Sequence, residues 1–335
     1  MKKWQNIKKQ KLLTKLDLEG FMQLMDSGFT FQQCLLLLET KENQQIFQYI
    51  QDKLLEGLEL KDFLTKCIPK KYSDILQGFI RYTTFQNSLH LTLNIINSME
   101  QRMNKIRQKL LYPTILVLLT TIGLFFFDLV CIPVLKDLVL SFEINSNQFN
   151  LMQMFIHVFI LLIILVITMF LIFFIYIKKD EHKKVIYLFL EKYYSQSLFI
   201  KYYSQEFMRY YMECTKAGIS TKNTINIMKQ IPKKTIIYFL SCEIEESLLQ
   251  GNDFLNSLKN THLDVDLMRF MQIAVYSNDK ENILTGYLSY SDTYVEKRLA
   301  LYTNILQVIA YVIIGFFMIM IYQVLMVPLS LISTI

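Results

Sequence analysis

Three stretches of this chain are too apolar and too long to be surface helices of a water-soluble domain: Tyr112 to Val130, Met154 to Ile177 and Ile305 to Val327. A bilayer core of about 30 Å takes about 20 helical residues at a rise of ~1.5 Å each. Each stretch is long enough to cross, so the sequence predicts transmembrane helices over 112–132, 154–177 and 305–327. The 53% hydrophobic content and positive mean hydropathy would also fit a greasy soluble protein. The clustering of apolar residues in three places decides for the membrane.

The charges set the orientation, because lysine and arginine close to a span resist translocation. Arg102, Lys105, Arg107 and Lys109 precede the first span, Lys178, Lys179, Lys183 and Lys184 follow the second, and Lys297 and Arg298 precede the third. Between the first two spans lies only Lys136, and the tail VPLSLISTI carries no charge. Of the 35 lysines and arginines, all but Lys136 therefore fall on one side. The expected layout is a multi-pass cell-membrane protein with a cytoplasmic N-terminus and an extracytoplasmic C-terminus. Residues 1–111 and 178–304 form two cytosolic regions, 133–153 an extracytoplasmic loop and 328–335 a short outer tail. The basic start MKKWQNIKKQKLL leads into no apolar stretch of signal-peptide length, so it is expected to be retained.

The two cytosolic regions resemble each other. FMQLMDSG (Phe21 to Gly28) is answered by YMECTKAG (Tyr211 to Gly218), LLEG (Leu54 to Gly57) by LLQG (Leu248 to Gly251), and MEQR (Met99 to Arg102) by VEKR (Val295 to Arg298). Pro133 beyond the first span is answered by Pro328 at the end of the third. The offsets are 190, 194, 196 and 195, nearly constant over more than a hundred residues. A duplicated unit of cytosolic domain plus outward span must return to the cytosol before its second copy begins. The middle span supplies that return, and the odd number of spans follows.

Within each copy the periodicity is helical. Leu18, Phe21, Met22 and Met25 share one face, as do Ile46, Ile50 and Leu54, and Ile244 and Leu248 repeat the pattern. Gly28, Gly57, Gly218 and Gly251 follow such stripes, where a left-handed residue ends a helix at no steric cost. Each region therefore reads as an all-α bundle of short helices.

Signatures of chemistry are missing. No Gly-Lys-Ser/Thr phosphate loop, Gly-x-Gly-x-x-Gly, His-Glu-x-x-His or Gly-x-Ser-x-Gly occurs. The five cysteines are scattered, with neither a disulfide framework nor a zinc spacing. The expectation is a non-enzyme with no cofactor and no metal. Glu243, Glu245 and Glu246 could face a cation, but a solvated helix face is the simpler reading. The tyrosine-rich stretch Tyr187 to Cys214 has balanced charges that do not favour nucleic acid, so no direct nucleic-acid binding is expected. It reads as an amphipathic helix that starts among lipid headgroups and merges into the second bundle.

Tandem α-bundles, each followed by an outward span, with glycine-ended helices, Tyr112-Pro113 entering the first span and Pro133 leaving it, resemble the type II secretion F-domain family. These are inner-membrane platform proteins of type II secretion systems and type IV pili. The chain is most similar to the version that serves the competence pseudopilus of Gram-positive bacteria. The family's small-Gly turn matches Ser27-Gly28 and Ala217-Gly218, and its Leu-x-x-Gly matches Leu54 to Gly57 and Leu248 to Gly251. The family's Gly-Glu-x-x-Gly-x-Leu segment is not kept in TTFQNSL (Thr83 to Leu89) or SNDKENI (Ser277 to Ile283). The resemblance implies an all-α membrane scaffold with two tandem cytosolic F domains and three spans. It implies pseudopilus assembly for DNA uptake, through a secretion or pilus-assembly ATPase, pilin-like subunits, further copies of the chain and membrane lipid. A small transporter or channel component is the alternative.

Two residues of the first span stand out. Pro113 fits the first turn of a helix, or kinks the helix at the membrane surface if it runs on from Met99. Asp128, the only carboxylate within a span, lies near the outer end, where it is expected to reach the interface. The other reading has it facing the bundle interior and meeting a polar group of a partner in the membrane.

Overall fold

The structure, a computed structural model, describes residues 12–140, 147–178, 180–194, 196–231 and 236–332. The expected retained N-terminal residues through Lys11, the centre of the 133–153 loop and the final residues of the tail lie outside them. All regular structure among the described residues is helical.

Local chemistry sets the helix ends. Thr14 caps α1 (Lys15–Asp26) in a capping box with Asp17, and Thr30 caps α2 (Phe31–Leu38) in a second one with Gln33. Ser197, Ser220 and Asp253 accept from the third backbone N–H of α10 (Leu198–Lys216), α11 (Thr221–Gln230) and α13 (Phe254–Lys259). At the other ends, Gly28, Gly57, Gly218 and Gly251 all have positive φ, between 71° and 92°. At each joint the glycine N–H bonds a carbonyl three residues back and the next N–H bonds one five back, as in Gly28 to Met25 and Phe29 to Leu24. This is the Schellman arrangement, which satisfies two carbonyls that the helix leaves unpaired. Four predicted joints thus adopt one geometry at matched places in the repeat.

The order of elements repeats as well. A first run comprises α1, α2, α3 (Gln44–Leu55), α4 (Leu60–Cys67), α5 (Lys70–Phe79) and the long α6 (Phe85–Phe126). A second comprises α10, α11, α12 (Ile236–Leu249), α13, α14 (Val265–Tyr276) and the longer α15 (Lys280–Ile332). Between them come α7 (Ile132–Leu140), α8 (Asn147–Lys178) and α9 (Asp180–Tyr193).

The chain forms two compact units. The first joins Met1–Arg102 with Asp180–Thr293, so the two polar regions share one core instead of forming a core each. The predicted stripes fill it: Leu18, Phe21, Met25, Ile46, Ile50 and Ile244 are buried, with Met22, Leu54 and Leu248 packed against it. Tyr187 and Tyr210 are fully buried there. Their burial corrects the expectation of an interfacial start to the tyrosine-rich stretch, of which Tyr193 and Tyr194 remain exposed.

The second unit joins Met103–Lys179 with Tyr294–Ile335. Two helical stretches that begin in the first unit and run on into this one, Phe85–Val134 and Lys280–Ile319, are long and apolar enough to cross a membrane. The predicted middle span falls in α8, where the shorter stretch His157–Val166 is the apolar part recognised among the described residues. Pro133 does not end the first long helix. After a π-helical turn, Phe127–Cys131, the chain continues through Pro133 as α7. Pro328 likewise lies inside α15.

Candidate functional site

The apolar unit gathers three helical segments around a polar pair. Leu124, Phe127, Ile132 and Ile160 form its small core, with Phe159, Ile163, Phe317 and Ile321 packed against it. Phe127 meets Phe317 edge-on at 5.3 Å between ring centroids, which fixes α15 beside the π-helical turn. Beside Phe127, Asp128 is 7% exposed, and its Oδ2 lies 3.0 Å from Nε2 of His157. The second carboxylate oxygen, Oδ1, is buried with no hydrogen-bond partner.

This geometry corrects the expectation that Asp128 reaches out to the interface. Its carboxylate turns inward between helices, because a charge in an apolar setting is far less costly beside a donor than alone. His157 on α8 supplies that donor, and its side chain keeps about half of its surface exposed. A signal for the pair was present in the sequence. Asp128 ends one apolar run and His157 starts the next, so an antiparallel return places both at the same depth.

Below the pair, α6 and α15 are stitched together within the same unit. Lys105 Nζ donates to Glu296 Oε1 at 2.9 Å, and Lys109 Nζ to the Glu296 carbonyl at 3.2 Å. The Tyr112 and Tyr311 hydroxyls lie 3.0 Å apart. Lys105, with Lys109 behind it, holds the Glu296 carboxyl below the usual range. Pro113 is buried in the interior of α6, so its place is the helix middle and not a first turn. There it removes one i to i−4 bond and crowds the carbonyl of Lys109. Sequence reasoning picked out Tyr112 and Pro113 and noted Glu296 only as part of the repeated VEKR; it missed that residue's contacts, and Tyr311, which no motif marks.

In the first unit the polar groups are mainly architectural. Lys201 is completely buried between Asp264, at 2.9 Å, and Asp266, at 2.7 Å. Burial alone would lower the ammonium's pKa, and the two carboxylates hold it above its ordinary value. Ser204 Oγ accepts from the Asp264 N–H, and the Tyr287 hydroxyl donates to Asp264. A second cluster links the two runs. Arg102 of α6 donates to Gln205 Oε1 of α10 at 2.8 Å and lies over the Tyr202 ring, while Arg209 donates to Asp292. Burial pushes the neighbouring Glu206 carboxyl up to about 7, against the pull of Arg102 and Lys183.

The glutamate cluster disperses: Glu245 pairs with Lys229, and Glu243 lies 3.7 Å from His262 Nε2. Among the described residues no group of three His, Cys, Asp or Glu side chains could hold a metal ion. The four glycines of the sequence reading, Gly28, Gly57, Gly218 and Gly251, sit at helix joints and touch no polar cluster. No protein-family model matches the chain, and no curated protein matches it.

Proposed function

We propose that this chain is a multi-pass platform protein of a type IV pilus-like or type II secretion machine, in which α8 supplies the third crossing and both polar runs lie in the cytosol. The reading rests on one observation above all. Two six-helix runs repeat the same order and the same glycine joints, and each ends in a helix that continues from packed bundle into apolar span. Such a body presents a large surface on one side of a membrane. With no phosphate-binding loop in its sequence, it would depend on a partner ATPase for mechanical work. The spans then gather pilin-like subunits for extraction into a growing filament, with the competence pseudopilus for DNA uptake as the favoured version.

Affinity purification of the tagged full chain from native membranes in mild detergent tests the reading. Recovery of a secretion-type ATPase and a pilin-like subunit is expected. Recovery of the intact chain with neither would overturn it.

A small transporter or channel component is the second reading, and the buried Asp128 with the half-exposed His157 beside it favours it, because ionisable residues inside spans often mark ion paths. Proteoliposomes containing the chain alone would show ion flux on that reading and none on the first.

A further inference from the structure

The two runs are alike in sequence, yet they bury different faces. Inside the first unit α11 of the second run packs on α5 of the first. They come close at Gly78, where an added Cβ would lie 3.2 Å from Cγ2 of Ile227. Each of these helices has a counterpart in the other run. Thr30, Cys34 and Leu35 of α2 match Ser220, Thr224 and Ile225 of α11 as cap and buried positions, which places Leu37 at the position of Ile227. Tyr72, Leu76 and Phe79 of α5 match Leu267, Met271 and Ala274 of α14, all buried, which places Ile273 at the position of Gly78.

The counterparts are bare. Ile227 is 1% exposed, while Leu37 is 59% exposed and Leu36 beside it is also exposed. Gly78 is buried, while Ile273 is 60% exposed. One chain therefore carries one used copy of this helix pairing and the two separated halves of another: an α2 face with no α14, and an α14 face with no α2. The charges at matched positions fit the same scheme. At the matched positions Lys229, paired with Glu245 of its own run, and Asp74 of α5 are answered by Glu39, the residue that ends α2, and Arg269 of α14, again one of each sign.

We propose that a second copy of this chain covers these faces, with α2 of one chain packing on α14 of the next as α11 packs on α5 within the chain. The occupant is another copy because the missing half of each face is the half the chain itself leaves bare. Ile273 is bulkier than Gly78, so the helices between chains sit farther apart than α11 and α5 do. The contact is head-to-tail and covers every such face when it closes into a ring, of which a dimer is the smallest. The inference does not depend on the platform reading: it uses only the repeat and the burial of its helices.

Cysteine crosslinking in membranes tests it. Two differently tagged full-length chains, one with Leu37→Cys and one with Ile273→Cys, are co-expressed and mildly oxidised. Both positions are exposed, so neither change disturbs the core. A disulfide-linked pair carrying both tags is expected, with Leu37→Cys chains not linking to one another and Ile273→Cys chains not linking to one another. No mixed adduct, equal adducts in the single-variant controls, an intrachain link in the double variant, or an adduct only with another protein would each overturn it. A second arm measures the mass of the detergent-solubilised chain by light scattering. Glu39→Lys should shift it toward monomer and Glu39→Lys with Arg269→Glu should restore it; an unchanged oligomer in Glu39→Lys would count against this face.

Discussion

Asp128, near the end of the first apolar run, and His157, near the start of the second, meet at 3.0 Å in the core of the apolar unit, with Asp128 almost wholly buried and His157 half exposed. The contact ties the π-helical turn to α8. With α8 as the third crossing proposed above, the contact is one between membrane helices, and such contacts contribute about 0.6–2 kcal/mol each. Asp128→Asn and His157→Gln should each lower the thermal midpoint in detergent. The double variant should lose less than the two losses added, by about 1 kcal/mol, because both break one interaction. Additive losses would show that the two side chains act separately.

The glycine joints make a second prediction. At Gly28 (φ +92°) and Gly218 (φ +71°) nothing lies within 4 Å of where a Cβ would stand, so a substitution there meets backbone strain and not a clash. Gly28→Ala and Gly218→Ala should each cost about 1–2 kcal/mol of stability. Gly123, within α6, has equal space and no left-handed φ, so Gly123→Ala should be stability-neutral or slightly favourable. Denaturation of the three variants side by side checks this.

Lys201 provides a third. Removing the cation by Lys201→Met leaves Asp264, which is 1% exposed, with the Tyr287 hydroxyl in place of a counter-charge. An uncompensated buried charge costs about 3–5 kcal/mol. The variant should express poorly or unfold early, and adding Asp264→Asn with Asp266→Asn should recover much of the loss. Thermal midpoints of the single and triple variants measure the difference.

Glu206 gives a dependence on pH. Its carboxyl is raised in the folded chain from an ordinary 4.5 to about 7 by burial. Between these values the folded state keeps a proton that the unfolded chain has released. The stabilisation from this group is therefore full below about 4.5 and is lost as pH climbs toward 7. Glu206→Gln should remove that part of the slope, making the variant more stable than the parent at pH 8 by on the order of 2 kcal/mol and no more stable at pH 4. Melting curves of both proteins across this range decide.

How much of this could be read from sequence depends on how local the cause is. The glycine joints were legible because a left-handed helix end needs a glycine within a turn of the last apolar stripe, and all four turned out as positive-φ Schellman joints. The buried stripes were legible through their period. The shared core was not, because α11 packing on α5 at Gly78 joins residues about 150 positions apart and leaves no local pattern. The helix beyond Pro133 was hidden because a proline is only a statistical stop and the π-helical turn before it is not encoded in periodicity. The inward turn of Asp128 depended on a partner in a different helix.

As proposed, the chain is the membrane body on which a filament-assembling machine is built. Deleting its gene and re-expressing the full chain, while counting pilus-like filaments and measuring DNA uptake or secretion, tests this most directly. The account predicts that filaments and the associated activity vanish on deletion and return on re-expression, with the ATPase and pilin-like subunits present throughout. Filament numbers unchanged by the deletion would contradict it.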